Sequence, residues 1–149
     1  MNSSGELEKQ YKILQLAIYC DVIPLILKEH NNLSLSKLMI FSYLIKKDNY
    51  YFKSIYDAKT KKNVTERLIS LLSGDMERLF DSIQFILQAL DLLSKNKIIK
   101  IIDGCAFFNK DGKVPIEHRY EIRNFIHKSI EETRHISDEQ FMKEVLGNV

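Results

Sequence analysis

The strongest constraint on this chain lies between Met76 and Phe108, where a helical repeat runs directly into a hairpin pattern. Leu79, Ile83, Ile86, Leu90 and Leu93 are spaced by four, three, four and three residues, which stacks them on one side of an α-helix. Phe80, Phe85, Leu87 and Leu92 flank that stripe, so the helix is apolar over most of its circumference and is expected at the centre of the core. Two runs rich in β-branched and aromatic residues follow, Ile98–Ile102 and Cys105–Phe108, separated by Asp103-Gly104. Both central residues of a type I′ turn need positive φ, which Asp-Gly tolerates, so a tight hairpin is predicted. Ser73 is placed to cap the long helix, with Asp75 and Glu77 in the first turn where the helix dipole favours acids.

Around this unit the chain reads as helical. Leu7, Tyr11, Leu14 and Ile18 share one helical face. Pro24 is tolerated best in a first turn, which predicts a break near Asp21 and a second short helix through Glu29, closed by a turn at Asn31-Asn32. Ser34 can cap a helix from Leu35 to Lys47, and a short helix is expected at Thr65 to Leu72. Beyond Pro115 a helix is predicted from Ile116 to about Ile136; the capping box Ser137-x-x-Gln140 then opens a last helix through Leu146, ended by Gly147. A length of 149 residues suits one core. The expected fold class is therefore mainly α with one β-hairpin, a winged-helix-like single domain with extra C-terminal helices. Its parts are N-terminal helices (1–48), a variable excursion (49–72), the long helix plus wing (73–108) and the C-terminal helices (115–149).

Charge separates the two uses of such a frame. In a DNA reader the exposed stripe of the long helix meets bases and phosphates with Arg, Lys, Asn or Gln. Here the stripe is Asp81, Gln84, Gln88 and Asp91, and Arg78 and Lys95 against Glu77, Asp81 and Asp91 give the helix a net charge of −1. A phosphate backbone repels such a surface. The hairpin region differs: Lys95, Lys97, Lys100, Lys110 and Lys113 against Asp103 and Asp111 sum to +3. Between Lys46 and Lys62, six lysines face two aspartates. Nonspecific phosphate contact is thus open to Lys59, Lys61, Lys62, Lys97 and Lys100. The overall net charge of +2 is unlike that of a strongly basic nucleic-acid-coating domain. Tyr50, Tyr51 and Phe52 form an aromatic cluster suited to packing or to a protein interface, where aromatic anchors concentrate.

Signals for an enzyme are weak. No glycine pattern suits a phosphate-cradling loop or a nucleophile elbow, and no His-Glu-x-x-His occurs. His127, Glu131 and His135 share a helical face, but imidazoles eight residues apart stand about 12 Å apart and cannot share one metal, so a solvated polar face is expected there. No cofactor and no metal are expected. Cys20 and Cys105 read as free thiols of a reducing cytoplasm. No secretion signal is evident, and the longest uncharged runs fall short of the roughly 20 residues of a membrane span, so a cytoplasmic protein without a membrane partner is expected.

The segments Ile23–Leu27, Leu33–Ile45 with its Leu-Ser-Leu-x-x-Leu pattern and Tyr43-Leu44, and Ala89–Lys100 resemble the middle component of bacterial ABC-three-component systems, the Lamassu-type antiphage defence operons. The likeness spans Pro24 to Phe108. It implies a non-enzymatic accessory subunit that binds an SMC/Rad50-like ATPase and restrains or positions a separate effector subunit, and it carries no site residue across. The alternative is a standalone winged-helix DNA-binding transcriptional regulator, dimeric through its C-terminal helices.

Overall fold

The computed structural model describes residues 3–51, 72, 74–111 and 120–148. The elements run α1 (Ser3–His30), β1 (Asn32–Ser34), α2 (Leu35–Tyr51), α3 (Met76–Lys95), β2 (Ile99–Ile102), β3 (Cys105–Phe108), α4 (Asn124–Glu132), a 3-10 turn (Thr133–His135) and α5 (Asp138–Asn148). The described chain is mainly helical with one small antiparallel sheet.

Pro24 does not break the first helix: α1 is a single element of 28 residues. An internal proline costs about 3 kcal/mol. Val22, Ile23, Ile26 and Leu27 around it are completely buried. At about 1.5–3 kcal/mol per buried side chain, their burial outweighs the lost hydrogen bond. Asn31, at φ 70°, then ends the helix, its N–H bonded to the Leu27 carbonyl at 2.8 Å.

The hairpin forms as the Asp-Gly turn requires, with Asp103 at φ 49° and Gly104 at φ 76°. A third strand, β1, was absent from the sequence reading. It pairs with β3 with Leu33 opposite Ala106, giving the order β1-β3-β2. Three residues are too short a run to show period-2 patterning. Leu33, Ile99 and Ala106 point inward and are buried, while Lys100 and Ile102 alternate outward.

The core is one cluster in which the C-terminal part of α1, α2 from Leu38 to Ile45 and one side of α3 meet the inner face of the sheet, joined by Phe125, Ile126 and Ile130 of α4 and Phe141 and Val145 of α5. Ser34 caps α2 as expected, accepting from the Lys37 N–H at 3.4 Å. The helix then runs past Lys47 to Tyr51. The predicted helix at Thr65–Leu72 lies outside the described residues except for Leu72, which is buried.

Three further boundaries move. The N-cap of α3 is Asp75, and its carboxylate makes no bond to the helix; Tyr43 and Lys47 hold it instead. Residues 120–123 are not helical, because Asn49 binds both backbone groups of Glu121, accepting from its N–H at 3.1 Å and donating to its carbonyl at 2.9 Å. In α5 the Gln140 N–H donates to Ser137 Oγ at 3.1 Å, half of a capping box, whereas the Gln140 side chain turns to Glu144. Gly147 lies inside that helix rather than beyond its end. α5 is fastened to α2 by Lys37 Nζ on the Ile136 carbonyl and by Ser34 Oγ donating to Asp138 at 2.7 Å.

Contrary to the expectation from its uncharged runs, α1 is long and apolar enough over Ser4–His30 to cross a membrane by length and composition, and half of its apolar window is buried within the protein.

Candidate functional site

α3 is less completely buried than its composition predicts. Its inner side, Leu79, Ile86, Ala89, Leu90 and Leu93, is sealed in the core. Its outer side exposes Asp81, Gln84, Gln88 and Asp91, as the stripe predicts. The correction concerns Phe80 and Leu87, which the sequence places in the core and which stand 54% and 50% exposed, with Leu92 at 40%. Periodicity marks the side of a helix but does not say how wide a partner covers it. The outer face is therefore apolar patches between carboxylates and amides. The only base on its far end, Lys95, is tied to Asp91 at 2.8 Å.

The basic candidates divide. Lys97, in a left-handed turn at φ 60°, and Lys100 on the outer face of β2 are both exposed. Lys59, Lys61, Lys62 and Phe52 lie outside the described residues, as do the side chains of Tyr50 and Tyr51, whose backbones close α2. Lys46 and Lys47, counted from sequence in an outward basic stretch, turn inward instead. Lys47 is buried and paired with Asp75; Asp48 is buried and pairs with Arg123 at 3.1 Å. Helical phase decides this: α2 is covered on nearly all sides, so its polar residues must find partners inside.

Lys46 and Lys47 border a cavity of about 270 Å³ between α1, α2 and α3. Tyr11 of α1 and Phe85 of α3 meet edge to face across it, with centroids 6.2 Å apart. Tyr43 donates to Asp75 Oδ2 at 2.8 Å on another wall. Burial pushes the Tyr43 hydroxyl well above its usual range, and Asp75 adds to the effect. The Lys46 ammonium lies 5.4 Å from the centre of the Tyr19 ring, donates to Gln15 Oε1, and has no ion-pair partner among the described residues. Burial draws its pKa down. The Tyr19 hydroxyl is fully buried with no hydrogen bond of acceptable geometry among the described residues, although Ser82 and Tyr11 adjoin it. Burial raises its pKa to about 12. None of this was legible from sequence, since the residues concerned come from three helices.

The C-terminal histidines also regroup. His127 and Glu131 are joined by His30, from the end of α1, rather than by His135, which is exposed. His30 Nε2 and His127 Nδ1 are 2.8 Å apart, and His30 Nδ1 lies 3.3 Å from Glu131 Oε1. The expected solvated face is thus partly a tertiary contact. Arg134 adds a bond from Nη2 to the His30 carbonyl at 2.6 Å. Burial lowers the His127 pKa, and the His30 charge lowers it further, against Glu29 and Glu131. Among the described residues no group of three or more His, Cys, Asp or Glu side chains is placed to hold a metal ion.

No family model matches the chain, and neither a curated protein nor a solved structure matches it.

Proposed function

We propose that this chain is a non-enzymatic, winged-helix-like accessory subunit that docks on a larger protein in the cytoplasm, an SMC/Rad50-like ATPase, and helps to restrain or position an effector. The observation that carries the docking part is the outer face of α3, where Phe80, Leu87 and Leu92 are exposed among Asp81, Gln84, Gln88 and Asp91. Phe80 and Leu87, seven residues apart and so on one edge of that face, form an exposed apolar pair of the kind found at protein interfaces, with Leu92 on the opposite edge. Their carboxylate neighbours disfavour a polyanion on the same face. The element order α1-β1-α2-α3-β2-β3, with β1 beside β3, supports the winged-helix description. The resemblance of Leu33–Ile45 and Ala89–Lys100 to the middle component of ABC-three-component systems supports the choice of an ATPase partner.

A second reading, a standalone DNA-binding regulator, draws on exposed Lys97 and Lys100 at the hairpin. Titration of the isolated chain with duplex DNA at several salt concentrations separates the two. The accessory-subunit reading expects weak binding, reduced by Lys97→Ala and Lys100→Ala. Tight binding without any partner, falling steeply with salt and reduced by Gln84→Ala or Gln88→Ala, would support the regulator.

A further inference from the structure

The geometry points to a proton-operated joint between the end of α1 and α4, built on His30 and His127, which stays closed with no added proton or one and opens with two. The Glu131 carboxylate can only accept, so its contact at 3.3 Å fixes a proton on His30 Nδ1. In the neutral pair His30 Nε2 is then the acceptor and His127 Nδ1 the donor of the bond at 2.8 Å. That leaves His127 Nε2 as the basic nitrogen. A first proton enters there, and the shared proton shifts across to His30, which now donates from both nitrogens while the hydrogen bond survives. A second proton has no such solution. Both facing nitrogens would carry hydrogen at 2.8 Å, and the bond becomes a contact between two cations whose ring centres are 5.0 Å apart. His30 has little escape to solvent, because its side chain is only 5% exposed.

The charges facing the pair set the same limit. Glu29 on α1 and Glu131 on α4 act on His127, while Arg134 from the following turn pairs with Glu131 and donates to Asn32 of β1 at 3.4 Å. These three charges sum to −1, which one proton neutralises and a second reverses. Burial and then the His30 charge hold the His127 pKa down, in keeping with that order. Phe125, Ile126 and Ile130 keep α4 anchored in the core, so the opening is local. It reaches the sheet nonetheless: His30 is the last residue of α1, Asn31 follows at φ 70°, and the Asn31 carbonyl accepts from the Phe108 N–H.

Imidazole ¹H–¹⁵N spectra of the full chain, titrated from about pH 8 to 4, test the joint. Two separated steps are expected, each moving the signals of both rings, because the protons belong to the pair. His127→Gln should leave a single step at His30, and Glu131→Gln, at a position 54% exposed, should lower the first step of the pair by removing a charge that favours it. Amide exchange, corrected for its intrinsic pH dependence, should quicken in α4 by up to about tenfold per pH unit through the second step, with α2 unchanged. That acceleration should vanish in His127→Gln. The proposal is overturned if each ring titrates in one step that substitution of the other leaves unmoved, or if acid quickens α4 exchange as much in His127→Gln as in the wild type.

Discussion

In α1, Leu7 and Leu14 stand 71% and 58% exposed, whereas Ile23, Ile26 and Leu27, further along the same helix, are completely buried. The C-terminal half is the more apolar, with nine hydrophobic residues from Ala17 to His30 against five from Ser3 to Leu16, and the two also differ in what lies beside them. α1 has 28 residues and α3, its main neighbour, has 20; at 1.5 Å per residue the first is about 12 Å longer. The C-terminal half fills the space between α2, α3 and the sheet, whereas the N-terminal half meets α3 and α2 along one side only, through Tyr11 and Gln15. Amphipathic spacing reports that a helix has a face; length and neighbours decide whether that face is covered.

Substitutions that treat the two halves alike sharpen the contrast. Ile26→Ala should have the largest effect, a loss of about 2–5 kcal/mol in chemical denaturation, because a closely packed core relaxes only partly around a cavity. At the C-terminal end of α1, pH should act through His127. Its folded pKa is depressed below the free value of about 6.5, so the unfolded chain binds the proton more readily. That contribution to stability is complete above the unfolded pKa and is lost as pH falls through the folded one. His127→Gln should flatten the decline that sets in below about pH 6.5 in a denaturation series. Tyr11→Ala, in the N-terminal half, removes an edge-to-face contact with Phe85 and should cost about 0.5–1.5 kcal/mol. Leu7→Ala and Leu14→Ala should change stability by less than about 0.5 kcal/mol. A loss near that of Ile26→Ala at either position would show that the exposed half is covered in solution.

What could be read in advance follows from the range of each signal. The hairpin was legible because its determinant is local, the positive φ of Asp103 and Gly104. The inner side of α3 was legible from spacing, and the cap by Ser34 from one residue type. Pro24 misled, because its cost of about 3 kcal/mol is local and the burial that outweighs it depends on tertiary neighbours. β1 was too short to pattern. The inward turn of Lys46 and Lys47 and the meeting of His30 with His127 join residues 28 to 97 positions apart, beyond any local signal. The aromatic cluster at Tyr50, Tyr51 and Phe52 and the lysines from Lys59 to Lys62 lie outside the described side chains, so the outer face of α3 now carries the functional reading.

That reading is tested most directly by capturing partners from native cells with tagged wild type, Leu87→Asp and Leu14→Asp, and asking whether an SMC/Rad50-like coiled-coil ATPase is among them. Retention of the ATPase by the wild type, its loss with Leu87→Asp and an unchanged melting temperature are expected. Equal retention by Leu87→Asp, or no complex at all together with tight, salt-sensitive duplex binding by the isolated chain, would contradict the account.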